Sequence, residues 1–69
     1  MADILEAFGQ RLRKIRTRKG LSQEKLAEVA GLHRTYVSSV ERGERNISLV
    51  NIDRLAKALG VKLPDIMPR

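Results

Sequence analysis

With 69 residues the chain holds one small domain, and its 14 Lys+Arg against 8 Asp+Glu leave a formal net charge of +6. No cysteine is present, which excludes disulfides, cysteine-ligated zinc and thiol catalysis, and a single histidine, His33, cannot furnish a metal's coordination shell. No apolar run approaches the ~18 residues of a membrane span, and Asp3 and Glu6 do not suit a signal peptide, so the expectation is a soluble, basic domain that meets an anion.

Ile4, Leu5, Phe8, Leu12 and Ile15 recur at three- and four-residue steps and mark one face of an amphipathic helix. Asp3 is its N-cap, and Gly20, reached through basic Arg18 and Lys19, is its C′ residue. Gly9 costs about 1 kcal/mol relative to alanine inside a helix, which points to the close approach of another helix there. Ser22 caps a short second helix with Glu24 in its first turn and Leu26, Ala27 and Ala30 inward. Ala30-Gly31-Leu32 interrupts that pattern, and a third helix runs from about His33 or Arg34 until Gly43, with Val37 and Val40 inward. Glu44 to Ile47 is a polar loop. Ser48 then opens a fourth helix, with Leu49, Ile52, Leu55, Ala56 and Leu59 on one face and Gly60 as its C′ residue. Leu63-Pro64-Asp65-Ile66-Met67 predicts one further turn, with proline tolerated near its start. There is no internal repeat, no low-complexity segment and no strand alternation longer than a few residues. Short helices on short connections make a compact all-α globule, a single domain over 1–69. Its core is aliphatic, because Phe8 and Tyr36 are the only large rings.

The segment from Gln23 through Arg42 carries the most information. Two short helices crossing at a steep angle touch near their junction, so a small residue, Ala27, is needed there. The bend between them takes Gly31 because its backbone is expected at positive φ, where other residues are strained. Leu26, Ala30, Leu32, Val37 and Val40 clip both helices to the rest of the core. This is the helix-turn-helix arrangement over about 22–43, in which the second helix stands proud and can enter a DNA major groove.

At these residues the chain resembles the Xre/Cro-type, phage-repressor-like helix-turn-helix regulators. Leu21-Ser22-Gln23-Glu24-Lys25-Leu26-Ala27, Gly31, Val37-Ser38-Ser39-Val40-Glu41-Arg42-Gly43 and Leu55-Ala56-Lys57-Ala58-Leu59-Gly60-Val61 carry the likeness, which extends from about Phe8 to Met67. Within that family, Glu41 through Leu49 looks most like the small controller proteins of bacterial restriction-modification operons. Ile47 departs from the pattern, standing where many members have proline before the serine cap. The resemblance implies five helices, a symmetric dimer, recognition of a partly palindromic operator in double-stranded DNA, and a cytoplasmic place on the bacterial nucleoid. It also implies that His33, Arg34, Thr35, Ser38 and Ser39 face base edges, with Ser39 favoured over Ser38, and that Gln23 holds a phosphate.

The chemistry of these side chains suits those roles. Arg34 is the first choice for direct readout, since its forked donors match guanine O6 and N7; the alternatives are a phosphate contact or a solvated arginine. Thr35 offers a hydroxyl to a base or a methyl to thymine. His33 makes a local or phosphate hydrogen bond, and Tyr36 packs with its ring while its hydroxyl reaches for phosphate. Gln23 stands at a helix N-terminus whose free N–H groups attract anions. Arg42, Arg45 and Asn46 follow the third helix, where the chain passes the DNA backbone. Glu41 is expected to be structural, tethering Arg11, Arg13 or another base of the first helix. Arg11, Arg13, Lys14, Arg16, Arg18 and Lys19 form a basic run with no acid between Glu6 and Glu24. It is read as a solvated face whose field attracts DNA.

One helix in one groove contacts few base pairs. A two-fold dimer doubles the reading and sets half-sites about 34–36 Å apart. A domain of this size buries only about 60% of its unfolded surface, so a second copy is also a natural source of stability. Residues 49–67 are therefore expected to form the dimer seam, through Ile52, Leu59, Val61, Leu63, Ile66 and Met67, the alternative being that they close the monomer's own core. No cofactor, small-molecule ligand or membrane is expected as a partner, and no nucleophile–base pair or phosphate-cradling glycine loop favours an enzyme. Two rival readings remain: an antitoxin-like module whose main partner is a protein, and the DNA-binding fragment of a longer regulator, which the end at Pro68-Arg69 allows.

Overall fold

Asp3, Ser22 and Ser48 each cap the expected helix in the structure, a computed structural model that describes residues 3–68. Asp3 accepts a hydrogen bond from the Leu5 N–H and opens α1 (Ile4–Arg18). Ser22 accepts from the Lys25 N–H at 2.9 Å and opens α2 (Gln23–Ala30), while α3 (Arg34–Glu41) starts after His33 without a side-chain cap. Ser48 accepts from the Asn51 N–H at 3.1 Å and opens α4 (Leu49–Leu59). The final turn, α5 (Leu63–Ile66), carries Pro64 at its start, and Asp65 accepts from the Lys62 N–H. Among the described residues there are no strands, and no helix is long and apolar enough to cross a membrane.

The turn between α2 and α3 has the expected physical basis. Gly31 takes φ 72°, which lets its own N–H reach the Glu28 carbonyl and the Leu32 N–H reach that of Ala27 at 2.8 Å. These two bonds satisfy carbonyls that the end of α2 would otherwise leave unpaired, and they turn the chain sharply into α3. Helix α2 packs on both α3 and α4, and α1 packs on α3 and α5. Their inward faces meet in one aliphatic core around Leu12, Leu26, Val37, Val40, Leu55 and Ile66, each at most 1% exposed.

Gly9 lies where α1 meets the end of α3. A Cβ there would stand 2.5 Å from the Val40 carbonyl oxygen and closer still to that of Glu41. Close helix approach therefore explains a residue that local propensity disfavours.

Two expectations are corrected. Arg16 does not belong to the solvated basic face of α1: it is 8% exposed, and its guanidinium meets the Glu41 carboxylate in a two-pronged pair, Nε to Oε2 at 2.6 Å and Nη2 to Oε1 at 3.1 Å. Glu41 thus tethers a base of the first helix, and that base is Arg16. The second correction concerns the apolar C-terminal half. Ile52, Leu59 and Ile66 are 8%, 4% and 0% exposed and close the monomer's own core, because α5 folds back onto α4 and α1. Val61, Leu63 and Met67 lie half-buried against that core, so only their outer parts face solvent.

Gly9→Ala is expected to destabilise the fold by about 1–3 kcal/mol, since the added methyl meets backbone that must move. A urea or thermal melt checks this. An unchanged midpoint would show that the α1–α3 seam is looser than the geometry requires.

Candidate nucleic-acid interface

The exposed end of α3 and the start of α2 stand side by side. Gln23, Arg34, Thr35, Ser38 and Arg42 line one open cleft between them. At the start of α3, His33, Arg34 and Thr35 are exposed, and the uncapped N–H groups there carry the positive end of the helix dipole. Arg34 has only a loose ion pair with Glu24, Nη1 to Oε2 at 3.9 Å with both side chains mostly in solvent. Exposed pairs of this kind hold little energy, so the guanidinium is free to turn to another acceptor.

One turn later the two serines separate. Ser38 is half-exposed in the cleft and its hydroxyl accepts from Arg42. Ser39 is 8% exposed, donates to the Tyr36 carbonyl at 2.8 Å and accepts from Arg45 Nε at 3.2 Å. The preference for Ser39 as a base reader is therefore corrected: its hydroxyl is committed inside the protein, and Ser38 is the serine that faces outward. The helical period accounts for this, since Val37 and Val40 point inward and Ser39 sits on the flank that the following loop covers.

That loop is anchored on Tyr36. The Arg45 guanidinium lies 5.5 Å from the centre of the Tyr36 ring, within cation–π range, and the Tyr36 hydroxyl accepts from Asn51 Nδ2 at 3.0 Å. The ring is thus held from α4 on one side and stacked by the loop on the other. Asn51 escaped the sequence reading, because nothing near it in the chain marks a partner 15 residues away. Arg42 also donates to Glu44 at 3.1 Å; this contact and its charge draw the Glu44 carboxyl below its usual range and raise Arg42 above its own. Asn46 is exposed and lies beside Ile4, Leu5 and Ile47, outside the lining of the cleft.

Gln23 is half-buried beneath the cleft, and its Nε2 donates to Glu41 Oε1 at 2.9 Å. The first residue of α2 is thereby joined to the Arg16–Glu41 pair. Arg16 was missed as a partner, although a signal existed: it lies four residues after Leu12, and Glu41 four after Val37, so each extends an inward stripe. Of the predicted DNA-facing residues, Arg34, Thr35, Ser38, Gln23 and Arg42 share the cleft, while Tyr36 on α3 and Arg45 and Asn46 on the α3–α4 connection lie outside its lining.

The helix-turn-helix family model matches residues 12–66. Control protein C.BamHI of Bacillus amyloliquefaciens is 56% identical over 61 residues, covering 87% of this chain and 75% of its own length. Control protein C.SmaI of Serratia marcescens is 49% identical over 67 residues, covering 97% of this chain and 80% of its own. The crystal structure of the restriction-modification controller protein C.AhdI from Aeromonas hydrophila superposes with a TM-score of 0.90 at 59% identity, over 91% of this chain and 96% of that one. With a matching fold, an exposed second helix in the motif and relatives this similar along most of its length, the chain belongs to the helix-turn-helix family of DNA-binding transcriptional regulators, among the restriction-modification controller proteins.

Proposed function

We propose that the protein regulates transcription by binding a partly palindromic operator as a homodimer, with α3 of each copy in a major groove. The observation that carries this reading is the cleft at the start of α3, where Arg34, Thr35 and Ser38 are open to solvent beside Gln23 and Arg42. Arg34 reads a guanine through O6 and N7, while Thr35 and Ser38 contact neighbouring bases. Gln23, His33, Tyr36, Arg42, Arg45 and Asn46 hold phosphates and set the register. Occupancy is the switch: transcription falls or rises according to where the operator overlaps the promoter and how much dimer is present.

The dimer is supported by apolar surface that the monomer leaves uncovered. Leu49 and Val50 are 68% and 64% exposed at the start of α4, and burial against a second copy removes them from water. Val61, Leu63 and Met67 add their outer parts. This supports a seam within residues 49–67, carried by residues other than the three that the core consumes.

Selection of bound duplexes from a random pool at two salt concentrations tests the reading as a whole. Enrichment of sequences with two-fold symmetry supports it, and an unenriched pool overturns it. Arg34→Ala should flatten the preference among variants of the selected duplex, costing about 1–3 kcal/mol at one base pair and leaving binding to unrelated DNA nearly intact. An unchanged specificity ratio would remove Arg34 from the reading surface. Arg45→Ala should weaken binding to all sequences alike and make the salt slope shallower by about 1 for each half-site, as counted in binding titrations across ionic strength. Val50→Asp should shift the protein from dimer to monomer in sedimentation with helical content retained; a variant that remains dimeric would move the seam elsewhere.

A further inference from the structure

We infer that the buried Arg16–Glu41 pair positions the phosphate contact at the start of α2, with the Gln23 amide as the joint between core and DNA. The inference rests on the proposed role of Gln23 and adds the residues that aim it.

Glu41 is buried at the end of α3, its side chain 3% exposed, and its carboxylate accepts three hydrogen bonds. Two come from Arg16 and one, at 2.9 Å, from Gln23 Nε2. A carboxylate sets the orientation of the glutamine amide, because a flipped amide would turn its oxygen against the negative charge. One of the two amide hydrogens is therefore held inward and the other is left for an outside acceptor. Phosphate oxygen suits that place, since Gln23 lines the open cleft and heads a helix with free N–H groups.

Arg16 reinforces the same point from the chain before α2. Its Nη1 donates to the Leu21 carbonyl at 2.8 Å, and its own carbonyl accepts from the Leu21 N–H at 3.1 Å. Leu21 directly precedes the Ser22 cap. One ion pair thus holds both the residue before the cap and the residue after it. Stability alone does not call for this arrangement, because a buried ion pair is replaced by apolar residues of similar volume with little loss. An apolar pair would fill the same space and leave the Gln23 amide unaimed.

The test uses Arg16→Met with Glu41→Leu, which removes both charges together. The double variant is expected to keep its helical signal and melting temperature near those of the parent. It should bind the duplex enriched by the selection above about tenfold more weakly per half-site, the scale of one hydrogen bond to a charged group. Because the lost contact is to phosphate, its ratio of selected to unrelated duplex should change less than twofold. Gln23→Ala in the parent should give the same tenfold loss, and added to the double variant it should cost nothing more. A folded double variant that binds like the parent overturns the inference, as does a Gln23→Ala loss of equal size in both backgrounds. Should the double variant fail to fold, the Gln23 side-chain amide of the parent decides by nuclear magnetic resonance. One exchange-protected and one freely exchanging amide proton in the free protein, the exchanging one shifting on adding the duplex, support the inference; two protons that exchange equally fast overturn it. An enriched pool combined with additive losses would sink this coupling alone, whereas an unenriched pool would sink the operator reading itself.

Discussion

A guanidinium and a carboxylate meet out of water between α1 and α3, and the registry of the first three helices depends on that meeting. Removing either charge from water costs several kcal/mol, so each is tolerated only while the other and its remaining hydrogen-bond partners stay in place. The partners here are the Leu21 carbonyl and the Gln23 amide, which belong to the start of α2. Three helices are therefore registered against one another at a single polar point inside an aliphatic core. Gly9 permits that registry, since any larger residue would push α1 away from the end of α3.

Around this fixed point the polar side chains divide into those spent on the fold and those left for a ligand. Ser39 is satisfied by the Tyr36 carbonyl and by Arg45, so it organises the loop after α3 rather than presenting a hydroxyl outward. Tyr36 is braced by Asn51 and covered by Arg45, which gives the α3–α4 connection a defined path past α3. Arg34 and Thr35 have no such commitments beyond the loose contact of Arg34 with Glu24. A rigid frame carrying uncommitted donors loses little entropy on binding.

The helices were legible in the sequence because their causes are local. Asp3, Ser22 and Ser48 each cap the helix they precede, and the period of the apolar residues marks the inward faces. Gly31 could likewise be placed at the bend, since a tight turn of this kind needs positive φ whatever surrounds it. The motif residues that carry the family likeness lie close together in the chain, so the outward start of α3 could be read as well.

The roles of charged and polar residues were legible only in part. Arg16 sits in a run of six bases whose local chemistry is uniform; what sets it apart is Glu41, 25 residues away, brought opposite by the packing of α1 on α3. Choosing between Ser38 and Ser39 needed the path of the following loop, because Arg45 covers one and leaves the other open. The apolar residues near the C-terminus posed the same problem, since side chains that seal a core and side chains that seal a dimer share one chemistry. The order of residues is enough to say which segments are helical, where they start and which faces are oily, all consequences of contacts a few residues apart. Which bases are buried, which hydroxyls are already satisfied and which oily residues stay exposed emerge only on folding, because burial depends on what the distant chain brings alongside.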